Sequence, residues 1–262
     1  MARDQLSLCT SSQYEGQDLE ALADLPRYHR WILKTFQPFL QGRSLEIGAG
    51  IGNFASRYIH QVEESVLLEP AKNLVPQLEA RFDSQSNVQV VPGLLEDWCE
   101  NRLSISAPPL ASFDTIVLVN VLEHVEDHLA MVQTIHDLLR PGGSMLLFVP
   151  AVRWLYGTLD RKVHHYRRYT RSGIRRLCKA TDLDLVHLRY FDVLGVLPWL
   201  LSGRVLKQNE FNPLMARIYD RLIVPVGSFL ERWLSAPIGK NLICVARRPI
   251  QASEELSVKR AA

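Results

Sequence analysis

The sequence predicts a doubly wound α/β fold built on a mostly parallel sheet. Short runs rich in Val, Ile and Leu recur between helix-length segments, and several of them lack polar alternation, as strands covered on both faces do. The first run also ends in a glycine-rich turn. At 262 residues, 47% hydrophobic and 22% charged, the chain has ample material for a large core.

The expected strands are Ser44–Ile47, Ser65–Leu68, Val88–Val91, Thr115–Val119 and Met145–Val149, followed by Leu185–Tyr190 and Leu242–Ala246. Helices are expected at Asn53–Gln61, Lys72–Phe82 and Asp127–Leu139. The third stops at Arg140-Pro141-Gly142-Gly143, where proline and glycine turn the chain into the next strand. A further helix starts at the Thr170 cap with Ile174 and Leu177 inward. Residues 1–40 form an N-terminal helical cap, in which Arg27–Ile32 has amphipathic spacing, and 41–190 form the sheet core. About 50 residues separate strands six and seven, far more than a connection needs. Rich in Leu, Trp and Phe and broken by prolines 198, 213, 225 and 237, residues 191–240 read as a helical lid over the catalytic face. The last strand lies in 241–250, and 251–262 is a polar tail expected to be disordered.

Composition narrows the function. A net charge of +2 implies no polyelectrolyte partner, and the basic residues lack the interleaved aromatics of a nucleic-acid surface. Cys9, Cys99, Cys178 and Cys244 are scattered, which argues for reduced thiols in a cytoplasmic protein and against a zinc frame. No signal pattern or bilayer-length apolar stretch is evident, so no stable membrane insertion is expected, while peripheral contact stays open. No Asp, Glu and His cluster stands at metal-ligand spacing, so no metal is expected. The oligomeric state is not legible.

The most informative stretch is Leu45-Glu46-Ile47-Gly48-Ala49-Gly50-Ile51-Gly52-Asn53. Glycines at 48, 50 and 52 let the backbone turn sharply and leave room for a ligand on the loop. A helix start behind them offers amide N–H groups to the same space. A dinucleotide loop has its third glycine where this chain has Asn53, and a carboxylate at Glu46 would repel a pyrophosphate. The same carboxylate suits a ligand bearing an ammonium and a sulfonium.

On these residues the chain resembles the class I S-adenosylmethionine-dependent methyltransferases, in the type 11/12-like branch, whose first motif is E/D-x-G-x-G-x-G. The likeness runs through Phe113–Val125 to Gly143, and His164-His165-Tyr166-Arg167-Arg168-Tyr169-Thr170 resembles a G-H-x-R-R-Y-T signature with His164 in place of glycine. The resemblance implies S-adenosyl-L-methionine as cofactor and a seventh strand inserted antiparallel beside the fifth. It implies a cofactor site of Glu46, Gly48, Ala49, Gly50, Gly52 and Asn53, with Glu69 and Pro70 at the ribose and Asn120 and Val121 toward the methyl donor. Relatives carry an aspartate for adenine where this chain has Leu94, so Leu94 and Leu95 are expected to pack on the purine face, with Glu96 as the substitute acid. Tyr14 is expected to close over the cofactor.

The stretch after strand five carries the acceptor chemistry. From Arg161 to Lys179 there are eight Lys or Arg and no acid. His165 is the expected general base and Asp160 its orienting partner, with Arg168 and Tyr169 beside them. His124 carries two readings, a second candidate base or a structural histidine in a helix first turn. Tyr156, Arg167 and Trp199 are expected against substrate. Guanidinium groups and an apolar lid favour a small, lipophilic and anionic acceptor, an intermediate of natural-product, quinone or lipid-linked sugar synthesis, with O-methylation favoured. Two alternatives stay open: a catalytically silent cofactor-binding module, and a nicotinamide-dependent oxidoreductase, which the missing Tyr-x-x-x-Lys pair disfavours.

Overall fold

The computed structural model describes residues 25–206, 212–233 and 236–250. Tyr14, Phe211 and the segment 251–262 lie outside the described residues. Seven strands, β1 (Arg43–Ile47), β2 (Glu64–Glu69), β3 (Val88–Pro92), β4 (Phe113–Val119), β5 (Leu139–Pro150), β6 (Asp184–Phe191) and β7 (Asn241–Arg247), form one sheet in the order β3-β2-β1-β4-β5-β7-β6. The order reverses between β1 and β4, the place where an open α/β sheet leaves a crevice at its carboxyl ends. β1 to β5 pair in parallel, and β7 runs antiparallel between β5 and β6.

Both sheet faces are covered, which is why the strands read as continuous apolar runs. One face, with Leu45, Ile116, Leu118 and Leu147, packs on helices α4 (His128–Leu138) and α6 (Arg171–Ala180). The other face, with Leu67, Val117 and Phe148, packs on α1 (Pro26–Phe36) and α2 (Val75–Phe82). Each fully buried Leu, Ile or Phe contributes roughly 1.5–3 kcal/mol through this burial.

The helix starts are fixed chemically. Asp127 caps α4 by accepting the Ala130 N–H, and Thr170 caps α6 by accepting the Gly173 N–H, with Ile174 and Leu177 buried below. α1 opens on Pro26 and its preceding residue makes no side-chain cap. Asp220, far along the chain, accepts the Tyr28 N–H at 2.8 Å and the Arg27 N–H at 3.2 Å in its place.

Three local expectations change. The helix expected over 53–61 is a pair of 3-10 turns, Ala55–Arg57 and Ile59–Gln61, separated by Tyr58 at φ −130°. Tyr58 leaves the helical path there, and its ring is fully buried against Phe54. The second helix begins at Val75 rather than Lys72. The 140–143 turn forms inside β5: Leu139 pairs with Phe113 and Ser144 with Thr115, so four residues bulge opposite one.

The described residues between 191 and 240 form α7 (Val196–Leu200), α8 (Pro213–Ile218), α9 (Val224–Leu230) and π turns at Leu201–Val205 and Tyr219–Ile223. The first half of this segment packs on residues 153–162 and its second half on α1. Buried Asp192 ties it to the sheet: its carboxylate accepts from the Tyr28 and Tyr219 hydroxyls and the Gly195 N–H, and pairs with Lys240 at 3.0 Å. Much of its apolar surface stays outside, with Phe229 59% and Trp233 79% exposed. Among the described residues no helix is long and apolar enough to cross a membrane.

Candidate functional site

β1 ends in a loop whose three glycines all adopt positive φ, 70° at Gly48, 58° at Gly50 and 77° at Gly52. Side chains rarely adopt this conformation, and at Gly48 and Gly52 space forbids them too. A Cβ at Gly48 would come within 2.7 Å of Val121 Cγ2, and one at Gly52 within 2.4 Å of the Phe82 ring. The Gly48 and Ala49 N–H groups donate to the Leu68 carbonyl, holding the loop against the end of β2. Glu69 closes that end: its Oε2 accepts the Gly50 N–H at 2.6 Å and its Oε1 the Ala71 N–H at 2.8 Å.

Glu46 lies under the loop, 3% exposed, with Oε2 lacking any hydrogen-bond partner. Burial pushes its carboxyl up to about 8; the Tyr58 hydroxyl opposes the rise and Glu69 adds to it. Tyr58 and Glu46 face each other without closing a bond of normal geometry. A cationic group beside Glu46 would restore its ionised form.

The other proposed cofactor residues are dispersed around this loop. Asn53 Oδ1 accepts from Arg81 at 2.8 Å, while Asn120 is exposed at φ 55° with its N–H donating to the Phe148 carbonyl. Val121 rests on Gly48. Pro70 and Leu94 are half-buried and Glu96 is exposed. Leu95 instead points into the core with Val91 and Trp98, because its place at the start of α3 (Leu95–Cys99) turns it inward.

Two turns beyond β4 and β5 meet beside the loop. The 3-10 turn Leu122–His124 carries Glu123 and His124, and α5 (Thr158–Lys162) with its following turn carries Asp160 and His165. The Tyr166 N–H donates to the Glu123 carbonyl and so joins the two turns. His165 Nδ1 lies 3.0 Å from Asp160 Oδ1, and its Nε2 is 3.8 Å from Glu123 Oε1. The His124 and His165 rings stand edge to face with centroids 4.7 Å apart. His164, where the signature has glycine, adopts φ 57° and reproduces the glycine turn.

The electrostatics follow from burial. Burial pushes Asp160 up, but bonds from His165 and Arg168 outweigh it and hold the carboxyl below its ordinary range. Asp160 therefore stays ionised, and as a carboxylate it can only accept at its contact with His165 Nδ1. Burial, with His165 and His164 adding, pushes His124 down to about 3, and a bond to the Val163 carbonyl anchors its ring. Burial raises Glu123 to about 8. Glu123 is wholly buried, and neither carboxylate oxygen has a hydrogen-bond partner.

Arg168 and Tyr169, expected among the reacting groups, are buried and bonded within the framework. Arg168 donates to Asp160 and the Ala151 carbonyl and stacks 4.8 Å from the Trp199 ring. Tyr169 donates to the Leu122 carbonyl and meets His128 at 3.0 Å. The Tyr156 hydroxyl donates to the His165 carbonyl at 2.7 Å, fixing that turn. Arg167 donates to the Glu126 carbonyl and lines a cavity of about 590 Å³ with Arg153, Tyr156, Arg176 and Leu177. This cavity lies between α4 and α6 rather than over the glycine loop.

Sequence spacing missed Glu123. It is a carboxylate just past an apolar strand and beside a histidine, and that dipeptide was the available signal. No Asp, Glu and His cluster stands at metal-ligand spacing along the sequence, but the fold brings three such side chains together. Glu123, His124 and His165 each offer a ligand atom, all within 4.8 Å of one another.

Comparison with known proteins supplies further findings. Residues 19–188 match the protein family described as Methyltransferase domain. A ubiquinone biosynthesis O-methyltransferase of Leptothrix cholodnii is 26% identical over 234 residues, covering 83% of each chain. One from Xanthomonas campestris pv. campestris is 28% identical over 192 residues, 67% of this chain and 75% of that one. The fold resembles YcgJ from Bacillus subtilis, with TM-score 0.57, 17% identity and 84% and 99% of the two chains covered. It also resembles Haemonchus contortus phosphoethanolamine N-methyltransferase 2 in complex with S-adenosyl-L-methionine, with TM-score 0.58, 19% identity, and 85% and 52% covered.

Proposed function

The chain belongs to the methyltransferase-domain family, S-adenosylmethionine-dependent enzymes of class I fold, and from that premise we propose that it methylates a hydroxyl of a small, lipophilic, anionic acceptor. The carrying observation is the Asp160–His165–Glu123 array, in which His165 Nε2 faces Glu123 at 3.8 Å with its other nitrogen fixed on Asp160. A hydroxyl needs its proton drawn off to become a nucleophile, and this array supports that role.

The residues around the glycine loop fit the donor. The unpartnered Glu46 oxygen suits an ammonium or sulfonium, and Glu69, with lone pairs beyond its two backbone bonds, suits the ribose hydroxyls. When bound, S-adenosylmethionine supplies a methyl group on positively charged sulfur. Gly48, Ala49, Gly50 and Gly52 would leave it room, Asn53 and Pro70 would border it, Asn120 and Val121 would stand toward the methyl donor, and Leu94 and Glu96 would serve the purine. The chain's own contribution is alignment, which can remove about 7–11 kcal/mol of barrier.

The acceptor side rests on charge and apolar surface. Arg153, Arg167 and Arg176 in the 590 Å³ cavity suit a carboxylate or phosphate. The exposed apolar side chains between 197 and 233 suit a lipophilic tail. The relatives' name, O-methyltransferases of ubiquinone biosynthesis, agrees with a phenolic hydroxyl on a lipophilic ring.

Incubation with S-adenosylmethionine and a panel of phenols, catechols, amines and carboxylic acids tests this, with S-adenosylhomocysteine release as the readout. Release with tailed phenols or catechols above the others is the expected result. Turnover of amines alone would overturn it, and cofactor binding without release on any acceptor would favour a silent binding module.

A further inference from the structure

We propose that Glu123, His124 and His165 form a divalent-cation site that holds and activates the acceptor oxygen. The inference rests on the reading that this cluster activates a hydroxyl, and it names the agent that does so.

Three observations carry it. The first is the donor set: one carboxylate and two imidazoles, each offering a ligand atom within 4.8 Å of the others, is the His2Glu combination that binds zinc and its borderline neighbours with a position left open. Metal bonds of about 2.0–2.2 Å place ligand atoms roughly 3.3 Å apart around a tetrahedral ion. The Glu123–His165 pair at 3.8 Å therefore needs to close only slightly.

The second is that both Glu123 oxygens are buried without a hydrogen-bond partner. Folded proteins rarely leave a carboxylate in this condition unless something else satisfies it. Arg168 lies near but donates to Asp160 and the Ala151 carbonyl.

The third is the outer shell. Metal-binding histidines characteristically donate their second nitrogen to a carboxylate or carbonyl, which fixes the ring and its tautomer. His165 Nδ1 does this to Asp160, which is held in turn by Arg168 and the Gly157 N–H at 2.9 Å. His124 is anchored on the Val163 carbonyl.

The cluster also sits where such an ion would work. Glu123 follows Val121 by two residues, and Val121 packs on Gly48 of the glycine loop. A hydroxyl bound at the ion's open position would lose its proton to solvent water, with the O–H electrons staying on oxygen. That oxygen would then form the new O–CH3 bond as the C–S bond breaks and its electron pair stays on sulfur.

The test uses untagged protein treated with a chelator and dialysed, then titrated with Zn²⁺, Mn²⁺ and Co²⁺ by calorimetry and, for Co²⁺, by visible absorption. One ion per chain, with Co²⁺ bands of low-symmetry coordination, is expected. Glu123→Gln and His165→Ala should each weaken ion affinity at least 100-fold while still binding S-adenosylmethionine. Should either fail to fold, His124→Gln serves as the third variant with the same expectation. Absence of saturable binding by the parent protein, or affinity unchanged in variants that still bind S-adenosylmethionine, overturns the site. Failure of the parent protein to bind S-adenosylmethionine would instead remove the underlying reading, whatever the ion titration gives.

Discussion

Glu69 accepts the Gly50 N–H at 2.6 Å, so the acid ending β2 and the loop ending β1 are one hydrogen-bonded unit. Gly50 holds φ 58° to reach it. Valine in that conformation costs about 1–2 kcal/mol and puts a branched side chain in the loop. Gly50→Val should weaken S-adenosylmethionine binding tenfold or more by calorimetry, with near-native circular dichroism. Unchanged affinity would remove the loop from the cofactor site.

His165 touches Asp160 on one side and faces Glu123 on the other, away from the glycine loop's own bonds. His165→Ala should therefore lower kcat by about 10²–10⁴ and leave cofactor Kd within a few-fold. Asp160→Asn should lower kcat less while also lowering stability, since it leaves buried Arg168 without its counter-charge. Equal loss of kcat and cofactor affinity in His165→Ala would show that its role is structural.

Asp192 gathers two tyrosine hydroxyls, a backbone N–H and Lys240 at one buried point between the segment after β6, helix α1 and the sheet. Asp192→Ala strands all four and should cost about 3–5 kcal/mol. Urea denaturation followed by tryptophan fluorescence measures it. A loss below about 1 kcal/mol would mean the segment after β6 is held by apolar packing alone.

Stability of the ligand-free protein should fall as pH rises from 6.5 to 8. Burial holds the folded carboxyls of Glu46 and Glu123 protonated up to about 8 and that of Glu231 up to about 7, whereas all three ionise near 4.5 on unfolding. Between those values the folded state binds more protons, so each group lowers stability by about 1.4 kcal/mol per pH unit as pH rises. Buried His29 and His124, pushed down to about 4 and about 3, act in the opposite direction only below 6.5. Thermal melts across this window should show the decline, reduced in Glu46→Gln and by saturating S-adenosylmethionine. A melting temperature that is flat or rising in the parent protein would contradict the burial of Glu46.

What sequence revealed and what it hid divide along contact distance in the chain. The strands were legible because burial on both sheet faces writes itself as uninterrupted Val, Ile and Leu. The loop was legible because positive φ at 48, 50 and 52 leaves glycine there. Asp160 and His165 could be paired because one short helical turn separates them. Glu123 and His165 meet only because β4 and β5 are neighbours in the sheet, a relationship no local spacing records. The Asp220 cap on α1 was hidden for the same reason. The 53–61 segment reads as helical, and only the buried seat of Tyr58 in the folded core breaks it into two turns. Leu95 against Leu94 was a matter of which way a short helix turns, a one-residue question that apolar content alone does not answer.

The placement of β7 between β5 and β6 sets an order on assembly. During synthesis, the five parallel strands can align while later residues are still being added, but β6 then has no neighbour to pair with. It joins only when 241–247 emerges from the ribosome and threads the gap, and with it come Asn241 and Lys240, the partners of Tyr28 and Asp192. A nascent chain stalled before that point would leave an open strand edge at β5 and an unmoored apolar arm, the features that recruit chaperones.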